Sequence, residues 1–385
     1  MHILHVTPYY APAYAFGGVP RAVEGMTRAL VRRNHQVTVL TTDAFTLGKR
    51  LSKDLDTTIN GVHVLRIPNQ LYALRRWNLS TPFALRNVAK QLLPRVDAIH
   101  LHEFRTVENL LIASLQSAFD IPVILSPHGT MNLGTGRSTL KIGWDRLFSP
   151  RIAHMVTHVL ALAQSELDDI QDLWSTYSNA KTRFSVIPNG LDLDEVNNLP
   201  DPQPFREKYG LGEARIILFM GRLHRRKGVE PLVRAFLQSN LPNTKLILAG
   251  PDEGMRSTIE VMIDSRVCLL GYIEGQERLQ ALASADLFVL PAVGEGLSMA
   301  VLEAMGAGIP VLLSPGCNFP EVATSNAGRI VEPQVESLTE ALHELLTDED
   351  ALSQMGINAR RLIHEQFTWD RVAEQLETIY AAKQG

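Results

Sequence analysis

Short apolar runs alternate with amphipathic segments along the whole chain, and this alternation restricts the possible folds more than any other feature of the sequence. The strand-like runs are HILHVT (2–7), QVTVLT (36–41), VHVLRI (62–67), DAIHLH (97–102), PVILSP (122–127), THVLAL (157–162), RFSVIP (183–188), RIILFMG (215–221), TKLILAG (244–250), RVCLLG (266–271), DLFVLP (286–291), IPVLLS (309–314) and AGRIVE (327–332). Short apolar strands that alternate with helices form parallel sheets covered by helices on both faces. The sequence therefore predicts an α/β protein with two doubly wound series.

The 385-residue length also favours two domains, because single hydrophobic cores rarely grow beyond about 250–300 residues. The segment 187–211 is rich in Pro, Asn and Asp and lacks strand periodicity, so it is predicted to be a linker with a short helical piece. We expect one domain over 1–188 and a second over 189–366. The tail 367–385 is predicted to be an amphipathic helix, and packing back on the first domain would bury its apolar stripe.

Charge is distributed unequally between the two halves. Residues 1–190 carry 20 basic and 13 acidic side chains (+7), and residues 191–385 carry 17 and 28 (−11), which sum to the net charge of −4. The stretch LYALRRWNLSTPFALRNVAKQLLPR (71–95) contains five basic residues and no acidic one. It could contact an anionic membrane surface, or form an amphipathic helix on the first sheet with solvated arginines. No nucleic-acid-binding module is recognisable, so we expect no nucleic-acid partner.

Compartment is indicated only indirectly. Cys268 and Cys317 provide no disulfide framework, which is typical of a reducing compartment. No secretory leader and no run of 18 apolar residues is visible. We therefore expect a cytoplasmic protein, and the stretch 71–95 leaves open a peripheral position at the inner face of a membrane.

Cationic side chains follow the first strand of the second series. In GRLHRRKGVEPLVRAF (221–236), Gly221 permits close backbone approach, and Arg222 and Lys227 lie on the turn before a helix that opens near Gly228. Cations and a helix N-terminus at one strand end suit a diphosphate group. The alternative is a basic loop that is merely solvated, and with Arg225 and Arg226 in the same turn, some of this charge is expected to be only solvated.

Two glutamates flank the turn after DLFVLP, in GEGLSMAVLEAMGAGIPVLLS (294–314). Glu295 precedes a predicted helix and Glu303 lies inside it, so both carboxylates can accept hydroxyl hydrogens beside the free amides of the helix start. Glutamates near a helix start can also have no role beyond a favourable interaction of their negative charge with the helix macrodipole. Together with the cations, however, they indicate a pocket for a nucleotide sugar, with a base beside main-chain groups near Tyr272 and Ile273 of the YIEG turn.

These motifs resemble those of the retaining GT-B glycosyltransferases of glycosyltransferase family 4. GEGLSMAVLEAMGAGIPVL is similar to the family's E-x7-E signature, and GRLHRRKGVEPLVRAF is similar to its phosphate-binding Arg and Lys motif. IPNGLDLDEV (187–196), FPEVATSNAGRIVEP (319–333) and FTWDRVAEQLETIY (367–380) also resemble family segments. The resemblance covers nearly the whole chain. It implies two Rossmann-like domains facing a deep cleft, the first on the acceptor side and the second binding the donor.

The resemblance also implies a role for each matching residue. Arg222 and Lys227 would neutralise the leaving diphosphate, Glu303 would bind the ribose hydroxyls, and Glu295 would bind the donor sugar. His128, in SPHGTMN (126–132), would lie beside the transferred sugar, although a lone strand-end histidine is more often structural. The backbone groups expected to line phosphate and sugar belong to Gly17 and Gly18, in AFGGVPRAVEG (15–25), and to Gly296, Leu297, Ser298 and Met299.

The function implied is retaining, metal-independent transfer of a hexose from a nucleotide-diphosphate sugar to a hydroxyl of a sugar or lipid-linked sugar, in polysaccharide, glycolipid or glycoconjugate synthesis. The short YIEG turn favours a uracil base, as in UDP-glucose. No cofactor or metal is expected, and the pair Asp192 and Asp194 is attributed to helix capping. Two alternatives stay open: a nucleotide-sugar 2-epimerase of similar fold, and a non-catalytic nucleotide-sugar-binding subunit. A dinucleotide oxidoreductase is not favoured, because no G-x-G-x-x-G follows a strand with a ribose-binding acid downstream.

Overall fold

The computed structural model describes residues 1–77, 79–131, 138–177 and 181–382, without the side chains of Arg76, Trp77 and Ser138. It divides the chain into two compact units. The first comprises Met1–Gly190 together with Trp369–Gly385, and the second comprises Leu191–Thr368. Both junctions therefore fall two residues after the positions expected from the sequence.

The described elements alternate as the apolar pattern indicates. The strands are β1 (His2–Val6), β2 (Gln36–Thr42), β3 (Asp56–Ile59), β4 (Val62–Ile67), β5 (Ala98–His102), β6 (Val123–Ser126), β7 (His158–Ala161), β8 (Arg183–Val186), β9 (Arg215–Met220), β10 (Thr244–Ala249), β11 (Val267–Gly271), β12 (Leu287–Leu290), β13 (Val311–Leu313) and β14 (Gly328–Ile330). The helices are α1 (Gly18–Arg32), α2 (Leu85–Leu92), α3 (Val107–Ala113), α4 (Ser138–Leu147), α5 (Ser149–Met155), α6 (Gln164–Ser175), α7 (Asp194–Asn197), α8 (Gln203–Lys208), α9 (Val229–Ser239), α10 (Arg256–Glu260), α11 (Gly275–Ala283), α12 (Met299–Gly306), α13 (Glu321–Thr324), α14 (Val335–Thr347), α15 (Glu349–Gln366) and α16 (Trp369–Tyr380).

The first unit contains an eight-stranded sheet in the order β3-β4-β2-β1-β5-β6-β7-β8. All of its pairings are parallel except β3 with β4, which form an antiparallel edge. The central strands are buried along their whole length, as parallel strands covered on both faces must be. Strand order reverses between β1 and β5, and in doubly wound sheets ligands bind at the carboxyl ends of strands at such a point.

The second unit contains a six-stranded parallel sheet in the order β11-β10-β9-β12-β13-β14. Its strand order reverses between β9 and β12, so the loops that follow these two strands meet at one edge. The predicted phosphate-binding cations follow β9, and the two predicted glutamates follow β12. The topology of this unit thus brings the two motifs together, although they are far apart in the sequence.

The C-terminal helix α16 belongs to the first unit, where it packs on α1. The buried indole of Trp369 lies directly against Gly25, and a Cβ atom at Gly25 would overlap it. Arg33 forms a bidentate ion pair with Glu377, with both N···O distances 2.7 Å. Apolar burial and ion pairs therefore attach the last helix to the first.

Two local predictions were wrong. The amphipathic segment VENLLIASLQSAF (107–119) predicts a single helix. The helix α3 instead ends at Ala113, where the hydroxyl of Ser114 donates to the carbonyl of Leu111, and a separate 3-10 turn follows. Asp194 does not cap a helix by a side-chain hydrogen bond; it is the first residue of α7, where its charge faces the positive end of the helix dipole. Among the described residues, no helix is long and apolar enough to cross a bilayer.

Candidate active site

The loops that follow β9 and β12 are joined by hydrogen bonds. The backbone N–H of Val293 donates to the carbonyl of Arg226 at 2.7 Å, and the Arg226 guanidinium donates to the carbonyl of Gly294. Gly228 has φ +67° and lies so close to the Pro291 carbonyl that a Cβ atom would overlap it. A glycine is therefore required where the basic loop passes the end of β12.

Lys227 and Glu295, one from each loop, form an ion pair in which both side chains are mostly buried, with 14% and 24% exposure. The backbone of Glu295 is held on both sides. Its N–H donates to the Gly316 carbonyl at 2.7 Å, and its carbonyl accepts from the Asn318 amide at 2.6 Å. The structure thus brings together a predicted phosphate cation and the predicted sugar-binding carboxylate.

Arg222 lies in the same loop but is paired differently. Its guanidinium donates to both carboxylate oxygens of Glu253, in the loop after β10, at 2.9 and 3.0 Å. Both side chains are more than a third exposed, so this ion pair is readily exchanged for another anion. The two predicted cations therefore lie on one loop without sharing a counter-ion.

Glu303 lies in the second turn of α12 and is 4% exposed. It forms an ion pair with Arg278 of α11, which is also buried and lies 3.4 Å from Glu195. Burial opposes the arginine's charge, but Glu303 and Glu195 together raise the pKa of Arg278 above its ordinary value. Arg278 was not predicted from the sequence, because nothing in GQERLQ (275–280) indicates that the arginine side chain is buried.

The turn before α12 supplies the predicted backbone donors. Ser298 is the N-cap residue and makes no side-chain cap bond, and Met299 begins the helix. The first amides of a helix have no intrahelical acceptor, so those of Ser298 and Met299 suit an anionic group, and Gly296 and Leu297 lie in the turn directly before them. Tyr272 and Ile273 follow β11 at the edge of the sheet, the tyrosine 41% exposed and the isoleucine buried. The structure places them two strands away from β9.

In the first unit, Gly17 and Gly18 lie at the start of α1. Gly17 has φ +109° and ψ −150°, a conformation that favours glycine, and the 15-residue helix begins at the next residue. The predicted close backbone approach therefore coincides with a helix N-terminus after β1, at the reversal point of this sheet.

His128 follows β6, has a positive φ of 54° and is partly exposed as a residue. Non-glycine residues in this conformation are uncommon and cluster at functional sites. Its Nε2 lies 3.0 Å from Nδ1 of His102, at the end of β5. Burial lowers the pKa of His128 to about 4, so its ring is neutral at neutral pH. The next residue is fixed by Glu166, whose carboxylate accepts from the Gly129 N–H at 2.6 Å.

Three buried histidines of the neighbouring strands β1 and β5 were not singled out from the sequence: His5, His100 and His102. A signal for them was present, because residues at i and i+2 of a strand share a face. In DAIHLH this rule puts His100 and His102 on the same face of β5, and β1 is the neighbouring strand. The structure shows that His102 lies against the predicted site residue His128.

Two family models match consecutive parts of the chain. The Glycosyltransferase Family 4 model matches residues 16–195, and the model for Glycosyl transferases group 1 matches residues 202–362. An uncharacterized glycosyltransferase of Methanocaldococcus jannaschii is 27% identical, with 99% of this chain and 98% of the relative aligned. The glycogen synthase of Mycobacterium tuberculosis is 26% identical, with 100% and 96% aligned.

Solved structures show the same fold. HepE from Anabaena, in complex with UDP-glucose, aligns with a TM-score of 0.78 at 19% identity over 99% of this chain and 100% of its own. Sucrose-phosphate synthase from Thermosynechococcus elongatus aligns with a TM-score of 0.77 at 19% identity, over 99% and 98%. The GT-B fold class predicted from the sequence is confirmed. With both family models matched in order along the chain, this protein is a glycosyltransferase and belongs to the group 1, family 4 glycosyltransferases.

Proposed function

We propose that this glycosyltransferase is a retaining, metal-independent enzyme that transfers a hexose from a nucleoside diphosphate sugar to a hydroxyl acceptor. One observation carries the proposal: Lys227 and Glu295 meet at the strand-order reversal of the second sheet, with Glu303 on the helix that follows. A cation, the start of helix α12 and two carboxylates at one edge match the diphosphate and the hydroxyl groups of such a donor.

The charges suggest how the residues act. Breaking a sugar–phosphate bond leaves negative charge on the diphosphate, which the Lys227 ammonium, the Arg222 guanidinium and the α12 amides would stabilise. Lys227 is paired with Glu295 in the free protein, so donor binding would shift the ammonium towards phosphate and free the carboxylate for sugar hydroxyls. We assign no protein nucleophile, and the departing phosphate would take the acceptor's proton. The two cations would supply the charge that a metal supplies in other transferases.

We favour a UDP-sugar such as UDP-glucose as the donor. The short turn at Tyr272 and Ile273 supports this choice, and HepE was solved with UDP and with UDP-glucose. Against it, a mannosyltransferase of Corynebacterium glutamicum, 28% identical over 70% of this chain, is named as GDP-mannose-dependent. The glycogen synthases among the relatives fit a role in polysaccharide synthesis.

Donor hydrolysis followed by NMR tests the proposal without knowledge of the acceptor. The protein is incubated with UDP-glucose, GDP-mannose or ADP-glucose in the presence of chelator. We expect slow release of one nucleoside diphosphate and of free sugar that first appears in the donor's own anomeric configuration. Sugar released with the opposite configuration would contradict retention, and activity abolished by chelator would contradict metal independence. Epimerised donor without release would favour the epimerase, and an unchanged donor the non-catalytic subunit.

Two variants of the basic loop sharpen this test. Lys227→Met removes the ammonium assigned to the leaving group and should lower the rate by about 10²–10³-fold. Arg225→Met removes a cation two residues earlier, to which no phosphate role is assigned, and should change the rate by less than about threefold. Equal effects of the two substitutions would show that the loop acts only through its overall charge.

We further propose that the acceptor is a sugar or lipid-linked sugar and that the stretch 71–95 contacts an anionic membrane surface. Exposed Arg86, Lys90 and Phe83 support a peripheral contact. Arg75 cannot take part, because it is buried with its guanidinium 4.4 Å from the Tyr9 ring centroid; Asn78 and the side chains of Arg76 and Trp77 lie outside the described residues. Wild type should sediment with phosphatidylglycerol vesicles, and Phe83→Ser/Lys90→Glu should not. Equal sedimentation with neutral vesicles would contradict an electrostatic contact.

A further inference from the structure

Four histidines lie together at the strand-order reversal of the first sheet. His5 of β1 is the register partner of His100 of β5, His102 lies two residues further along β5, and His128 follows β6. The rings of His100 and His102 are stacked with centroids 4.4 Å apart, and those of His102 and His128 are 5.2 Å apart. His5, His100 and His102 are each 0% exposed.

Hydrogen bonds divide this cluster into two separate sets. His5 Nδ1 lies 2.9 Å from His102 Nε2, and His102 Nδ1 lies 3.0 Å from His128 Nε2, so these three rings form one line. His100 is bonded elsewhere, with Nδ1 2.6 Å from the Tyr380 hydroxyl and Nε2 2.8 Å from the Ser126 hydroxyl.

The first three histidines are close enough to be considered as metal ligands. Among their six ring nitrogens, only Nε2 of His5 has no hydrogen-bond partner within the described part of the chain. A three-histidine site would therefore have to break existing bonds of His100 and of His102. The geometry favours a hydrogen-bonded line over a metal centre.

We propose that His5 and His102 are positioning residues that hold His128 in the Nδ1–H tautomer, so that this N–H is presented to a substrate hydroxyl. The tautomer assignment stands on the geometry of the first unit alone, whereas the contact with substrate rests on the proposed glycosyl transfer. The hydrogen-bonded line thereby determines that Nδ1 of His128 faces the sugar hydroxyl. It also determines that this nitrogen donates a hydrogen bond and does not accept one.

The direction of hydrogen-bond donation along the line follows from His5, which is its buried end. Burial lowers the pKa of His5 to about 3 and that of His102 well below its ordinary value, so each ring carries one N–H at neutral pH. A buried N–H without an acceptor is rare in proteins, so the unpartnered Nε2 of His5 is assigned as the bare nitrogen. His5 Nδ1–H then donates to His102 Nε2, and His102 Nδ1–H donates to His128 Nε2.

This arrangement leaves the proton of His128 on Nδ1. No hydrogen bond to that nitrogen is found within the described part of the chain, and the residue as a whole is partly exposed. The backbone of His128 has a positive φ, and its ring lies against His102 of β5. Strained backbone at this position is consistent with a ring whose orientation matters more than its local stability.

The tautomer can be measured directly in the wild-type protein. Long-range ¹H–¹⁵N NMR correlations of ¹⁵N-histidine-labelled protein distinguish the two neutral tautomers, with assignments from His5→Phe and His128→Asn. We expect the His102 and His128 rings to be Nδ1–H at pH 7. An Nε2–H tautomer or a charged ring at His128 would overturn the proposal, even if the enzyme is fully active.

Two isosteric substitutions at His102 separate its role in positioning His128 from the effect of side-chain volume. The amide nitrogen of Asn reaches the place of the ring's Nδ1, and that of Gln reaches the place of Nε2. His102→Asn should keep the donation to His128, the tautomer and kcat. His102→Gln should lose the donation to His128 and the Nδ1–H tautomer. Its kcat should fall about tenfold, while the Kd for the donor should change less than about twofold.

His100→Asn is the matched control, because that residue is equally buried on the same strand but lies outside the line. It should leave the tautomer of His128 and kcat unchanged, whatever it does to the unfolding midpoint. If His102→Asn and His102→Gln lower kcat equally, or neither does, the positioning role is overturned. Wild type that releases no nucleotide from any donor would refute the proposed transfer, while the NMR spectrum would still decide the tautomer.

Discussion

At the scale of single residues, the candidate donor site is a set of charges that neutralise one another. Lys227 pairs with Glu295, and Arg278 pairs with Glu303 in nearly complete burial. Ionised groups taken out of water are tolerated only when they are paired. Arg278 therefore compensates the negative charge that Glu303 brings into the unit.

Loss of Arg278 is expected to be costly. Arg278→Met leaves Glu303 buried without a counter-ion, and the free energy of unfolding should fall by about 3–5 kcal/mol. The double variant Arg278→Met/Glu303→Leu should recover much of this loss, because no unpaired charge remains. Urea unfolding of the four proteins of this double-mutant cycle measures the coupling.

An exposed pair on the same unit is the control for this cycle. Arg234 and Glu230 lie 3.0 Å apart on α9 with their side chains 54% and 37% exposed, so Arg234→Met should cost less than about 1 kcal/mol. Additive losses for Arg278 and Glu303, without coupling, would contradict the role of the buried pair.

The position of a single residue in the fold was predictable where its motif followed a strand end. Glu295 and Lys227 could be predicted to lie at one sheet edge, because each follows a strand of a doubly wound series. The roles of Arg278 and His102 could not be predicted, because they depend on a side chain of a distant element that contacts each residue: Glu303 for Arg278, and His128 for His102. Arg75 shows the reverse error: it was counted with a solvated basic stretch, but it is buried against the ring of Tyr9.

At the scale of elements, the contact between α1 and α16 joins the two ends of the described chain within one unit. Gly25 provides the space for the Trp369 indole, which is 2% exposed. Trp369→Ala should lower the free energy of unfolding of this unit by about 3–5 kcal/mol through the cavity it creates. Gly25→Ala should cost about 1–3 kcal/mol through overpacking, and much less when Trp369 is already alanine.

Gly48→Ala is the matched control, because a Cβ atom at Gly48 meets no atom within 4 Å. It should be neutral or slightly stabilising. Thermal unfolding of the single and double variants checks both expectations. A Gly25→Ala cost that is unchanged in the Trp369→Ala background would show that the two residues do not share this packing.

The same helix pair is predicted to be sensitive to acid. Ion pairing with Arg33, assisted by His35, lowers the pKa of Glu377 from 4.5 to about 2. Because the folded pKa is below the unfolded one, this stabilisation is complete above about pH 4.5 and is lost as the pH falls towards 2. Glu377→Gln should remove this part of the acid dependence of unfolding, whereas Glu374→Gln, on the same helix, should retain it. Identical acid profiles would contradict the assignment.

Every strand-like run predicted from the sequence corresponds to a strand, because buried parallel strands combine β-propensity with continuous apolarity. The strand that was not predicted is β3, whose sequence DTTI is largely polar. It pairs antiparallel at the sheet edge, where one face is solvated and apolarity is not required. Element ends were less predictable, as the early end of α3 shows.

At the scale of the whole molecule, the same sheet topology occurs twice, and each copy presents its own reversal point. The second unit places the ion pair of Lys227 and Glu295 there. The first unit places Gly17 there, and His128 follows the next strand, β6. The sequence could predict this duplication from its two alternating series. It could not name the sugar or the acceptor, because shared folds carry many substrates.

Calorimetric binding of nucleotides tests the central claim most directly. UDP, GDP, ADP and their glucose or mannose conjugates are titrated, with chelator present, into wild type, Glu303→Gln and the control Glu340→Gln, an exposed glutamate of α14. The donor-site assignment predicts tight metal-free binding of one nucleotide, weakened by about 1–3 kcal/mol in Glu303→Gln and unchanged in Glu340→Gln. Failure of every nucleotide to bind, or binding that is indifferent to Glu303, would contradict it.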